Sequence, residues 1–561
     1  MKQLLTLLLL LPSLILAGET RPPAAAIAGA HPLATEAGLE ILEAGGNAFD
    51  AAVAVSATLA VVEPYSSGLG GGGFWLLHRA EDGREVMVDG RERAPLAARR
   101  DMYLDEEGEI VPGLSINGPL AAGIPGEPAA LAHISEHYGK LPPATALAPA
   151  IRHARNGFPV TPHYRKMAGF RLEVLRRNPQ AANTFLKDGE VPPLGHLIRQ
   201  PALAATLEAI AKHGAKGFYE GDVAQSLVAA VRKAGGIWQP EDLESYRVIE
   251  RDPLRFDYRG LTVTSAPPPS SGGVALATML NILQQFPMEK LSKVRRSHLI
   301  VESMRRAYRD RAEYLGDTDF VDVPIRRLTD PDYAAGLAAS IRLDRATSSN
   351  ELPSATSDIG GNHTTHFSIL DREGNYVSAT LSINYPFGSG FVAGDTGILL
   401  NDEMDDFSAK PGTPNVYGLV GAEANAIEPG KRMLSSMSPT FVTGPDSVAV
   451  LGTPGGSRII TMVLLGILEF AESEGPQAWV SRPRFHHQYL PDTLYYEPDA
   501  FNDDEAFALE ALGHQLKRAD STWGNMQAVL WHKEENRVEA ASDPRVEGLA
   551  SVHTNKQGRD E

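Results

Sequence analysis

Two adjacent threonines, Thr364 and Thr365, open a run of strand-forming residues, 364–370, directly after a long aperiodic stretch. A mid-chain threonine hydroxyl is a feeble nucleophile because it has no base. Cutting the peptide bond before it would supply one: the freed α-amine titrates near pH ~8 and can take the hydroxyl proton, directly or through a water. On its own the pair is equally a plain strand pair, because threonine favours strands. Other candidate chemistry is weaker. The stretch 68–73 satisfies G-x-G-x-x-G, but a helical segment precedes it and a strand follows. That order is the reverse of a dinucleotide fingerprint, so the glycines read as a tight turn near a functional cleft. His486-His487 has no third ligand at helical spacing and no H-E-x-x-H around it, so it reads as structural. No G-x-S-x-G elbow is present. The 561 residues contain no cysteine, which excludes thiolate catalysis, disulfides and Cys-ligated metal sites.

The elements that must position these residues follow from pattern. Residues 35–44 read as a helix stopped by Gly45-Gly46. Residues 51–62 are apolar on every side, which suits a fully buried helix. Residues 74–77 and 86–88 read as strands split by a turn at Glu81-Asp82-Gly83. Residues 142–200 read as helical with loops. A strand at 261–264 runs into Pro267–Gly273, expected to be rigid at its prolines and flexible at its glycines, before helices at 274–283 and 295–314. The Ser/Thr/Asp/Gly-rich stretch 346–362 has the length of a functional loop or a linker. The threonine run, a turn at 371–375 and a second run at 376–383 predict a β-hairpin. Further strands are expected at 447–451, 493–496 and 527–531, and there is no internal repeat.

Lys and Arg total 52 against 70 Asp and Glu, a net charge of −18, which is the wrong sign for a nucleic-acid partner. Hydrophobic residues at 43% and charged residues at 22% are those of a globular protein. Lys2, the apolar run from Leu4 to Leu16 and the small Ala17-Gly18 read as a signal peptide over 1–17, cleaved near Ala17. The run is shorter than the ~18 residues of a membrane span. The expectation is a secreted or periplasmic protein with no stable membrane span.

Asn362-His363-Thr364-Thr365-His366-Phe367-Ser368 resembles the processing site of the γ-glutamyltransferase family, the γ-glutamyl transpeptidases or glutathione hydrolases. Six further segments agree in the family's order: Asp89-Gly90-Arg91-Glu92 with Ala94-Pro95, Gly123-Ile124-Pro125-Gly126, the PPPSSGG loop at 267–273, Gly397-Ile398-Leu399-Leu400-Asn401 running into Glu403–Phe407, Leu434–Thr440, and Pro454-Gly455-Gly456-Ser457-Arg458. The resemblance implies an α+β fold, the four-layer αββα sandwich of the N-terminal-nucleophile hydrolases. It also implies self-cleavage between His363 and Thr364 by an N-to-O acyl shift. The products would be a large subunit, 18–363, and a small catalytic subunit, 364–561, in one intertwined heterodimer.

By the same resemblance Thr364 is the nucleophile, and Ser382, where many relatives have threonine, orients it. Gly455 and Gly456 are the oxyanion hole. Arg91, Ser435 and Ser436 take the α-carboxylate of a γ-glutamyl group, and Asn384, Glu403 and Asp406 take its α-ammonium. The stretch 411–422, with Tyr417, matches a lid that certain acylase-like relatives lack. The implied reaction is ping-pong transfer of γ-glutamyl from glutathione or a similar donor to water, an amino acid or a dipeptide, with no cofactor and no metal. A cephalosporin-type (glutaryl) acylase on the same scaffold and an inactive secreted binding protein are the alternatives.

Overall fold

The structure, a computed structural model, describes residues 21–352 and 364–554. The expected signal peptide at 1–17 and His363 of the expected cleavage site lie outside the described residues. Two antiparallel sheets carry the fold. Their strands, in chain order, are β1 (Ala25–Gly29), β2 (Gly72–Arg79), β3 (Arg84–Gly90), β4 (Ile249–Arg251), β5 (Leu254–Tyr258), β6 (Leu261–Ser265), β7 (Thr365–Leu370), β8 (Tyr376–Ser382), β9 (Thr440–Thr443), β10 (Ser447–Gly452), β11 (Gln527–His532), β12 (Arg537–Ser542) and β13 (Leu549–His553). One sheet runs β13-β1-β7-β8-β2-β3-β4 and the other β12-β11-β10-β9-β6-β5. Strands from before and after residue 364 therefore interleave in the larger sheet and meet side by side, at β9 and β6, in the smaller.

Side-chain alternation along each strand builds the layers. Phe74 and Leu76 of β2 pack with Phe441 and Val450 of the opposing sheet. Trp75 and Leu77 of the same strand point the other way, against the helix α1 (Ala48–Val62). All fifteen residues of α1 are buried, as its all-round apolar sequence predicted. Its N-terminus carries a capping box: Asn47 Oδ1 accepts from the Asp50 amide and Asp50 Oδ2 accepts from the Asn47 amide. The outer face of the second sheet is covered by α2 (Gly272–Leu283), α3 (Lys293–Tyr314) and α4 (Ile459–Ala471). Helix, sheet, sheet and helix thus stack in the expected α+β, αββα order.

The predicted elements recur with boundaries shifted by a few residues. The first helix begins at Pro32 instead of Thr35, because His31 caps it by accepting from the Leu33 amide. The threonine hairpin is β7–β8, inserted at the middle of the larger sheet. One expectation is corrected. Gly272 and Gly273 are not flexible: they begin α2, and a Cβ on Gly272 would stand 2.2 Å from Ser438 Oγ. Close packing, not mobility, is what these glycines supply.

Candidate active site

Thr364 stands at the entry to β7 and is buried. Leu381 pairs with Thr365 across the hairpin, so Ser382, one residue on, ends its strand beside Thr364. Thr364 lines a cavity together with Arg91, Ser382, Asn384, Glu403, Asp406, Tyr417, Ser435, Ser436 and Gly456. Ten sequence-predicted residues from dispersed segments therefore converge on one space. Gly455 lines an adjoining cavity that Thr364 also borders, so the threonine separates two spaces.

Each side chain has an identifiable support. Arg91 follows the last residue of β3, and its guanidinium bridges two acids: Nη1 to Glu403 Oε2 at 2.6 Å and Nη2 to Asp406 Oδ2 at 2.5 Å. The sequence reading assigned the arginine and the acids to opposite ends of a ligand; the structure joins them directly. Glu403 and Asp406 sit on one 3₁₀ turn, whose start is fixed by Asn401. Asn401 donates to the carbonyls of Gly70 and Gly123 and accepts from the Glu403 amide. The glycine run at 68–73 is thus a close-approach turn of the site. A Cβ on Gly71 would stand 2.2 Å from the Ser382 carbonyl oxygen.

Asn384 takes a left-handed φ of 70°. That turn lets its amide donate to Ser382 Oγ at 2.8 Å and its side chain donate to the Asp402 carbonyl at 3.0 Å. Tyr417, from the 411–422 stretch, donates its hydroxyl to the Asn384 carbonyl at 2.7 Å. Gln488 holds that stretch by donating to the carbonyls of Tyr417 and Gly418, and His486 bonds Gln488 Oε1. His487 contacts Asp492. Both histidines of the pair are engaged in hydrogen bonds within the protein.

The PPPSSGG loop seats the serines. Ser271 donates its amide and its hydroxyl to the Ser435 carbonyl, and the Ser435 amide donates to the Pro269 carbonyl at 2.8 Å. Ser435 Oγ accepts from the Met437 amide and Ser436 Oγ accepts from Arg311. What each hydroxyl still has to offer a ligand is its hydrogen. Gly455 and Gly456, with φ of 149° and 54°, lead through a short 3₁₀ turn into α4, whose N-terminal amides favour negative charge.

Burial sets the protonation. It pushes the Glu403 carboxyl up to about 7 against the opposing pull of Arg91, while Asp406 pushes further up. Glu92 is held well above the ordinary carboxylate range by burial and by Glu403. Arg91 stays charged, since three carboxyls outweigh its desolvation. Burial disfavours the charged form of Glu92, so two acids, Glu403 and Asp406, share one guanidinium and the site is short of one positive charge, which suits a cationic ligand group.

The sequence reading missed three residues here. Glu92 adds the third carboxyl. Arg311, near the end of α3, joins Ser271 Oγ to Ser436 Oγ from a buried position. Glu63 accepts a 2.7 Å hydrogen bond from Thr365. The available signals were a charged residue closing an apolar helix, at Glu63, and an arginine on the buried face of α3. Among the described residues His298, Glu302 and His514 lie close enough to share a metal. They are elsewhere in the fold, and Glu302 is already engaged by Arg306 and by the Thr347 amide.

The γ-glutamyltranspeptidase family model matches residues 34–553. The chain belongs to that family. It is 42% identical to the glutathione hydrolase proenzyme of Escherichia coli over 529 residues, covering 92% of this chain and 90% of the relative. The γ-glutamyltranspeptidase of Helicobacter pylori matches 58% of this chain and 93% of its own, at 40% identity and a TM-score of 0.56. A cephalosporin acylase from Bacillus halodurans overlays 95% of this chain and 96% of its own, with a TM-score of 0.83 at 30% identity. As in other γ-glutamyltranspeptidases, the scaffold is that of the N-terminal-nucleophile hydrolases, and the chain is an enzyme of this class. No helix among the described residues is long and apolar enough to cross a membrane.

Proposed function

We propose that this γ-glutamyltranspeptidase transfers γ-glutamyl groups from glutathione and related donors through an ester on Thr364. The observation that carries the reading is the convergence of Thr364 with the predicted zwitterion-binding set on one cavity. Maturation begins when the Thr364 hydroxyl attacks the His363 carbonyl; hydrolysis of the resulting ester frees the Thr364 α-amine. The two products stay together as a heterodimer because their strands interleave. With residues 1–17 as an export signal, the enzyme works outside the cytoplasm.

In the mature site the donor's α-carboxylate lies against Arg91 and the hydroxyl hydrogens of Ser435 and Ser436. Its α-ammonium joins Glu403, Asp406 and the Asn384 side chain, supplying the positive charge that these two acids lack beside one guanidinium. The γ-carbonyl then faces Thr364, with the amides at Gly455 and Gly456 set to receive the oxyanion. The α-amine takes the Thr364 proton, the oxygen adds to the carbonyl carbon, and collapse expels the amine of cysteinylglycine with that proton. Water or an amino acid repeats the sequence in reverse. Ser382, fixed by the Asn384 amide, orients the nucleophile, and Tyr417 closes the cavity over the donor.

A glutaryl acylase is the second reading, favoured by the whole-chain likeness to the Bacillus halodurans acylase. A glutaryl group has no ammonium for Glu403 and Asp406, and the 411–422 stretch covers the cavity. The test has two parts. Thr364→Ala should remain one full-length band on a denaturing gel while the wild type gives two. The wild type should release p-nitroaniline from γ-glutamyl-p-nitroanilide and leave glutaryl-7-aminocephalosporanic acid intact. Turnover of only the cephalosporin would install the acylase, and turnover of neither would point to a binding protein.

A further inference from the structure

The second cavity beside Thr364 is lined by a carboxyl that the mechanism above does not use. Glu63 directly follows α1 and is 3% exposed. Its Oε2 accepts from the Thr365 hydroxyl at 2.7 Å, one residue from the nucleophile. Glu63 and Thr364 line the same cavity. The Tyr65 hydroxyl contacts both buried Glu63 and half-buried Glu547, and Thr161 donates to Glu547, so the two acids form one hydrogen-bonded group. Other charged or titratable groups on this cavity are His163, Lys166, Tyr385, Arg458, Asp520 and Arg545. Burial holds His163 down to about 4, so it is neutral at working pH.

Resting on the reading of Thr364 as an amino-terminal nucleophile, we propose that Glu63 is a positioning residue for the Thr364 α-amine, its carboxylate stabilising the ammonium that forms when the hydroxyl gives up its proton. The step balances without Glu63 changing state. The hydroxyl proton moves to the α-amine, the Thr364 oxygen bonds to the γ-carbon, and the carbonyl pair moves onto oxygen. When the carbon–nitrogen bond breaks, the ammonium returns its proton to the leaving amine. A fixed negative charge beside a cation that exists only during reaction stabilises the transition state more than the ground state. The tie to Thr365 keeps the carboxylate in register with the first residue of β7, directly after Thr364.

Burial raises the Glu63 carboxyl to about 7, Thr365 pulls it down, and Glu547 pushes it up. Ionisation, and with it the proposed assistance, therefore appears as pH rises through about 7. The experiment is the pH profile of kcat at saturating γ-glutamyl-p-nitroanilide, where Glu403 is already paired with the donor's ammonium. The wild type should show, below the limb of the α-amine near pH ~8, a second rising limb near pH 7. Glu63→Gln should lose that limb and run about 100-fold slower above it, at the low end of general acid–base assistance. Glu63→Asp should restore a limb. Thr365→Val, which removes a hydrogen bond to the ionised form, should move the limb to higher pH. An unchanged limb in Glu63→Gln overturns the proposal; if that variant fails to mature, an unmoved limb in Thr365→Val does so. Acid-quenched enzyme analysed by mass spectrometry separates this from the underlying reading, because an acyl adduct away from Thr364 would sink the nucleophile assignment itself.

Discussion

Arg91→Lys keeps the charge at the centre of the zwitterion site and removes its geometry. Arg91 reaches Glu403 with one nitrogen and Asp406 with the other, at 2.6 and 2.5 Å, while its Nε donates to the Met433 carbonyl at 3.2 Å. A lysine carries one compact ammonium and cannot span both acids. One charge-assisted contact is lost and one buried carboxylate is left without its cation. A hydrogen bond to a charged group nets about 1.5–3 kcal/mol. At about 1.4 kcal/mol per factor of ten, kcat/KM for γ-glutamyl-p-nitroanilide should fall by about 10–150-fold. Arg91 meets the remote end of the donor, so most of the loss should enter KM, the signature of ground-state binding. Initial rates of p-nitroaniline release from purified variant, with two gel bands confirming maturation, give the number. A matured Arg91→Lys enzyme within about twofold of wild type in kcat/KM would show that the cavity does not bind the donor through this arginine.

Three further outcomes follow from the same geometry. Glu403 is raised to about 7 by burial, so in the free enzyme it gains a proton as pH falls below that value; the donor's ammonium needs the ionised form, so KM should rise toward acid, by up to about tenfold per pH unit, and Glu403→Gln should flatten the slope. Tyr417→Phe removes the bond from the lid to the Asn384 carbonyl and leaves a buried acceptor unpaired, which should raise donor KM by about 5–30-fold at a cost of about 1–2 kcal/mol, with the melting temperature little changed. Gly71→Ala would drive a Cβ to 2.2 Å from the Ser382 carbonyl oxygen, so calorimetry should show about 1–3 kcal/mol of lost stability and gels should show slower maturation.

Much of this site was legible before any coordinates. The all-apolar 51–62 segment could only be a buried helix, and the turn at 371–375 fixed the hairpin that carries the nucleophile. Those are local signals, readable from periodicity and turn chemistry. The convergence of Arg91 with residues more than three hundred positions away is a product of strand order, which no local pattern encodes. It was reached through motif resemblance. What resemblance could not supply was the wiring. The ion pairs of Arg91 with Glu403 and Asp406, and the grip of Arg311 on Ser436, depend on side-chain reach across separate elements. Glu63 was invisible for the same reason: in sequence it is one acid at the end of an apolar run, and only the packing of α1 against β7 makes it a neighbour of Thr365. The PPPSSGG loop misled because glycine signals both freedom and close approach, and only the neighbouring Ser438 decides between them.

The pairing of β1 with β13 has a topological consequence. Ala25 stands opposite His553, so the first and last strands of the larger sheet are immediate neighbours. A circularly permuted chain could therefore start at Thr364, run through His553, cross a short engineered bridge to Ala25 and finish near Leu352. Its strand order would be unchanged, and removal of an initiator methionine would expose the threonine's amino group at once. Such a single-chain enzyme would be born competent, with the zymogen stage designed away.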